Sequence, residues 1–205
     1  MPVPNIDLYC NVMDEITRRV AVINSFLAGE SKTIFRATTV ESMCLQIRKI
    51  LELIALGSLV VNKFVFVEQN EKFEQLWNAR LILKDIERIN PKFYPNPIRE
   101  APSENPSVVN DLVNVKSGYL TKDKFIKVYE KCGKILHADN PFGSKTAFEY
   151  YDKQIPIWLN EIMSLLNNHI ISLLNDEKMY VIHMKEDRDD RAHGYTFAPV
   201  NGMVK

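Results

Sequence analysis

Apolar residues recur every three or four positions over most of this chain, and the densest such run spans residues 38–63. Val40, Met43, Ile47, Ile50, Leu51, Ile54, Leu59 and Val61 lie along it at helical spacing. A Thr38-x-x-Glu41 signature opens the run and predicts a capping box at the helix start, with the end near Asn62. Glu41, Arg48 and Glu52, at i, i+7 and i+11, make one polar stripe on a rod that is otherwise apolar nearly all round. Such a stripe needs partners, and the rest of the fold is expected to pack around this helix. Before it, Leu8, Val12, Ile16, Val20, Ile23 and Leu27 predict an amphipathic helix over 6–27, and Gly29 stands where a helix end wants a left-handed residue.

Beyond a short apolar piece at 64–67, Phe73, Leu76, Trp77, Ala79, Ile82, Leu83, Ile86 and Ile89 predict a third helix over 71–89, stopped by Pro91. Five prolines in NPKFYPNPIREAPSENP exclude helix there and predict a surface loop or extended arm over 91–106, pinned by Phe93 and Tyr94. Residues 111–115 read as a short extended stretch, and Thr121 as the cap of a helix over 122–136 that stops at HADNPFG. A longer helix is expected over 145–174, bent where Pro156 removes a backbone donor. MYVIHMK and YTFAPV, separated by EDRDDRAHG, predict a hairpin over 178–200. The expected fold is therefore mainly α: one domain over 1–205, a helical bundle over 1–175 with a small C-terminal β-hairpin.

Composition narrows the classes of function. The 205 residues are 46% hydrophobic and 25% charged, enough for a core without disulfides or metal, and no apolar run is long enough to span a membrane. The opening MPVPNIDLYCNVMDE has no basic leader before an apolar segment, and Cys10, Cys44 and Cys132 are odd in number and far apart, so a reducing cytoplasm is expected. With 26 basic against 26 acidic residues there is no global field to hold a polyanion; only a local patch would do so. Just 7 glycines, no G-x-S-x-G elbow and no paired-cysteine spacing leave most familiar enzyme classes unsupported, and no metal or cofactor is expected.

His137 is the residue that stands out, placed at a helix end with Lys131 and Lys134 on the preceding turns and Asp139 and Asn140 just after. A basic residue four to six positions before a His at a helix end, within a helical domain, resembles the HEPN superfamily (higher eukaryotes and prokaryotes nucleotide-binding). The resemblance covers roughly 6–174 and rests on Lys131 and His137. It implies a HEPN-like bundle that dimerises, with the motif helices of two subunits meeting and His and Arg acting on RNA phosphate without metal. Lys131 stands at the Arg position, and it lacks the two-pronged guanidinium geometry. The expected function is thus a binding or accessory module with a degraded nuclease motif, in a prokaryotic defence or toxin–antitoxin setting, its partners a second copy, an RNA or nucleotide, or another protein. The alternative is a metal-independent endoribonuclease, with His137 as the proton-exchanging group and Lys131 or Arg48 stabilising phosphate charge.

Each candidate also has a structural explanation. His137 at a helix C-terminus interacts well with the helix dipole, and Arg48 with Glu52 is an i, i+4 pair whose members satisfy each other. Trp77, Tyr94, Glu52 and Asn140 complete the candidate substrate-binding set, Trp77 and Tyr94 as a base-stacking shelf or, with His137, a small-molecule pocket; aromatics of this kind are more often core. Asp187, Asp189 and Asp190 with His183 and His193 suggest a cation site, but Arg188 and Arg191 interleave, which favours a solvated hairpin tip.

Overall fold

The computed structural model describes residues 5–63, 78–106, 108–174 and 176–198. Among them are five helices, α1 (Ile6–Leu27), α2 (Arg36–Val61), α3 (Ala79–Ile89), α4 (Lys122–Lys134) and α5 (Phe148–Leu166). They alternate with five strands, β1 (Asn96–Pro102), β2 (Asn110–Asn114), β3 (Asn168–Ile171), β4 (Met179–His183) and β5 (His193–Phe197). The piece expected at 64–67 and the first part of the helix expected over 71–89, Trp77 included, lie outside the described residues.

Helix α2 is the hub: it touches each of the other four helices. Ile47, Ile50 and Leu51 are fully buried on it, each worth about 2 kcal/mol of apolar transfer. Its start differs from the capping-box expectation. The helix begins at Arg36 with Phe35 as N-cap and no side-chain cap, because Thr33 gathers the Thr38 and Thr39 hydroxyls at 2.7 Å each and Thr38 bonds back to the Phe35 carbonyl. Helix α1 has the bounds its periodicity predicts, and Gly29 follows it at φ +76°.

The expectation of a mainly α, HEPN-like helical bundle with a small C-terminal hairpin is corrected by the sheet. Five antiparallel strands run in the order β2-β1-β3-β4-β5, so the fold is α/β and the expected hairpin is only its last two strands. Two segments account for the difference. The proline-rich stretch contains β1 rather than being all loop: prolines that forbid helix also hold their neighbours extended, and Pro97 and Pro102 sit near the ends of the strand. Pro97 lies opposite His169 of β3, and its carbonyl accepts from the N–H of Val115. The helix expected to reach residue 174 stops at Leu166; Asn167 ends it, and His169 and Ile171 turn inward with the period of two that marks a strand. Helices α1 and α5 pack on this sheet.

His169 ties the two layers together. It is fully buried; its Nδ1–H donates to the Leu166 carbonyl (2.7 Å) and its Nε2 accepts from the Tyr9 hydroxyl of α1 (2.8 Å). Burial pushes its pKa down to about 4, so the ring is neutral in the fold.

Candidate functional site

Helices α4 and α5 form an antiparallel hairpin joined by residues 135–147. The Leu120 N–H donates to the Glu161 carbonyl at the open end, while near the connection the Tyr151 hydroxyl donates to the Lys131 carbonyl. Thr121 caps α4 by accepting from the Lys124 N–H, and Phe125, Val128, Tyr129 and Cys132 bury its inner face. On the flank of α4, Lys124, Lys127, Lys131 and Lys134 fall at intervals of three, four and three, a single row about 15 Å long at 1.5 Å per residue.

That row overlooks a groove whose opposite wall is α5. One depression, of about 410 Å³, is lined by Thr121, Asp123, Lys124, Lys127, Val128, Lys131, Tyr150, Gln154 and Trp158. A second, of about 340 Å³, lies toward the connection and carries Lys131, Lys134, Asp139, Ser144, Lys145, Thr146, Tyr150 and Tyr151. Lys131 and Tyr150 line both; the Lys131 ammonium lies 5.4 Å from the Tyr150 ring centroid, a cation–π pair at the boundary between the depressions. Tyr150 meets Tyr151 and Trp158 edge-on at 5.3 and 6.2 Å, so its half-exposed ring is braced by two buried ones.

The charge of the groove is unbalanced. Lys124 is neutralised by Glu161 (2.5 Å), whereas among the described residues Lys127, Lys131, Lys134 and Lys145 enter no ion pair. Asp123 is the one carboxylate on the first depression and Asp139 the one on the second. Both oxygens of Asp139 are occupied by the Thr146 hydroxyl (2.6 Å) and N–H (2.8 Å), which hold its pKa below the usual carboxylate value and tie the connection into a closed loop.

The residues singled out from the sequence go to different places. Lys131 is central to the groove. His137 is exposed on the turn after α4; its N–H donates to the Lys134 carbonyl, and it lines neither depression. Arg48 is turned inward: its guanidinium stacks 3.9 Å from the Tyr129 ring centroid, donates to the Tyr129 hydroxyl (2.7 Å) and carbonyl (3.3 Å), and pairs with Glu52 (3.4 Å). Tyr129 donates in turn to Glu52, so Arg48 and Glu52 of the α2 stripe anchor α4. Gly133 makes the room, because a Cβ there would overlap Arg48. Tyr94 is half-buried against the core, its ring edge-on to Phe93 and Phe125 and its hydroxyl donating to the Leu120 carbonyl, and Asn140 closes a turn by accepting from the Phe142 N–H. Trp77 lies outside the described residues.

Two other polar clusters lack a reactive geometry. The His183 ring lies between Glu100 (3.5 Å) and Glu186 (3.6 Å), one on each ring nitrogen, and no described group of His, Cys, Asp and Glu converges on a metal position. Cys10 shares a shallow depression with His193, but both His193 nitrogens are engaged, by Asp189 (3.0 Å) and Arg188 (2.8 Å). Burial pushes the Cys10 thiol up to about 11, so it has little thiolate to offer as a nucleophile. No helix among the described residues is long and apolar enough to cross a membrane.

Sequence reasoning reached Lys131 and Lys134 through their position before His137 and passed over Lys124, Lys127, Lys145 and Tyr150. The K-x-x-K-x-x-x-K-x-x-K spacing within KDKFIKVYEKCGK was the available signal; the facing wall was not local information. No family model, curated protein or solved structure matches the chain.

Proposed function

We propose that this chain is a binding module for single-stranded RNA, which lies along the α4–α5 groove. The observation that carries the reading is the lysine row of α4 facing a wall that presents the braced ring of Tyr150. Single strands are held without base readout by this combination: ammonium groups track the phosphates while an aromatic face takes a base, at about 1–3 kcal/mol per stacked base. The hydroxyls of Thr121 and Ser144 and the amide of Gln154 supply neutral partners for ribose hydroxyls. A chain with balanced total charge binds this way only through a local patch, and Lys127, Lys131 and Lys134, which enter no ion pair among the described residues, provide one.

The endoribonuclease alternative draws less support. Its guanidinium candidate, Arg48, is committed to Tyr129 and Glu52, and His137 is not among the residues lining the groove with Lys131. The test is fluorescence anisotropy with a labelled single-stranded RNA of about 12 nucleotides, a length within the range such grooves cover. The double variant Lys127→Glu with Lys131→Glu is expected to weaken binding by about tenfold or more, since each reversal removes a charge-assisted contact and adds repulsion. Lys178→Glu, in the segment before β4, is expected to stay within about twofold. Equal affinities for both variants would overturn the proposal.

A further inference from the structure

We infer that the depression at the closed end of the α4–α5 hairpin receives the end of the strand, as a terminal phosphate monoester. This deepens the RNA-binding reading and rests on it. The two depressions differ in their boundaries. The first lies between the two helices, along Thr121 to Lys131 on one side and Tyr150 to Trp158 on the other. The second is bounded by the connection itself, through Asp139, Ser144, Lys145 and Thr146. The Asp139–Thr146 hydrogen bonds hold that boundary in place, so a strand running from the first depression past Lys131 and Tyr150 reaches the folded connection and leaves the helix pair.

Charge points to what stops there. Lys131, Lys134 and Lys145 line the second depression with Asp139, which its bonds from Thr146 keep ionised, so three ammonium groups against one carboxylate leave two positive charges there. A phosphodiester inside a strand carries one negative charge, whereas a terminal monoester carries about 1.5 to 2 near neutral pH and offers three acceptor oxygens. Three ammonium groups and the Ser144 hydroxyl match the second species better than the first. Tyr150, at the boundary, is placed to stack on the base next to that end.

The experiment compares one labelled single-stranded RNA sequence in three forms, with a 5′-phosphate, with a 3′-phosphate and with hydroxyls at both ends. A phosphate on one end is expected to tighten binding about tenfold, the scale of the added charge-assisted contacts. Lys145→Ala is expected to bring the phosphorylated and hydroxyl forms to one affinity, with folding checked by circular dichroism. Equal binding of all three forms overturns the inference and leaves the groove reading standing. Failure of all three to bind overturns both. Full displacement by a nucleoside monophosphate at the oligonucleotide's own affinity also overturns it, because the depression is then a mononucleotide site and not a strand-end site.

Discussion

Acidifying the protein tests how the sheet is joined to the helices. His169 is fully buried, donates to the Leu166 carbonyl and accepts from Tyr9, and its pKa falls from 6.5 to about 4 on folding. Between those values the unfolded chain binds the extra proton and the folded chain does not, so stability is complete above pH 6.5 and declines as pH drops toward 4. At about 1.4 kcal/mol per pH unit the full effect is about 3 kcal/mol, and about 2 kcal/mol of it is spent by pH 5. Glu15, Asp139, Asp176, Glu186 and Asp189 have pKa values lowered by their hydrogen bonds, so their stabilisation is lost only at still lower pH. The assay is urea unfolding followed through far-ultraviolet circular dichroism at pH 7 and pH 5, for wild type and for His169→Asn. Asparagine retains a donor for Leu166 and cannot take up the proton. Wild type is expected to lose about 2 kcal/mol more than the variant over this interval. Equal losses would refute a buried, neutral His169 and, with it, the packing of β3 against α1.

Two further perturbations separate anchoring from binding. Gly133→Ala pushes a methyl into Arg48 and is expected to destabilise by about 1–3 kcal/mol in urea unfolding, despite the better helix propensity of alanine. In an Arg48→Met background, where the clashing guanidinium is gone, the same change is expected to be neutral or stabilising by up to about 1 kcal/mol; equal effects in both backgrounds would contradict the Arg48–Tyr129 anchor. His137→Ala is expected to leave single-stranded RNA affinity within about twofold, because the ring lies outside both depressions. A larger loss in anisotropy would return His137 to the site.

The helical part of this fold was legible because helix periodicity is local. The bounds of α1, the cap at Thr121 and the pairing of Arg48 with Glu52 all follow from residues within a few turns of one another. The sheet was not. β3 is four residues long, and Ile170, Leu173 and Leu174 continue the apolar rhythm of α5 closely enough to pass for more helix. What makes β3 a strand is its pairing with β1, about seventy residues earlier in the chain, and with β4, neither of which is visible in the segment itself. The prolines of β1 exclude helix and favour extended backbone, which predicts a loop or an extended arm; the pairing that makes the stretch a strand lies on β2 and β3. The site was split in the same way. Its lysine row lies within one helix and was readable as spacing, whereas Tyr150 and Lys145 join it only because the α4–α5 connection folds back.

The salt dependence of RNA binding probes the central proposal most directly. For single strands the slope of log affinity against log salt is about 0.7 per neutralised phosphate, negative in sign. Replacing Lys127, Lys131 and Lys134 together with glutamine removes three such contacts and is expected to make the slope shallower by about 2. A triple variant whose slope matches the wild type would contradict the account, because the strand would then be held on some other face of the protein.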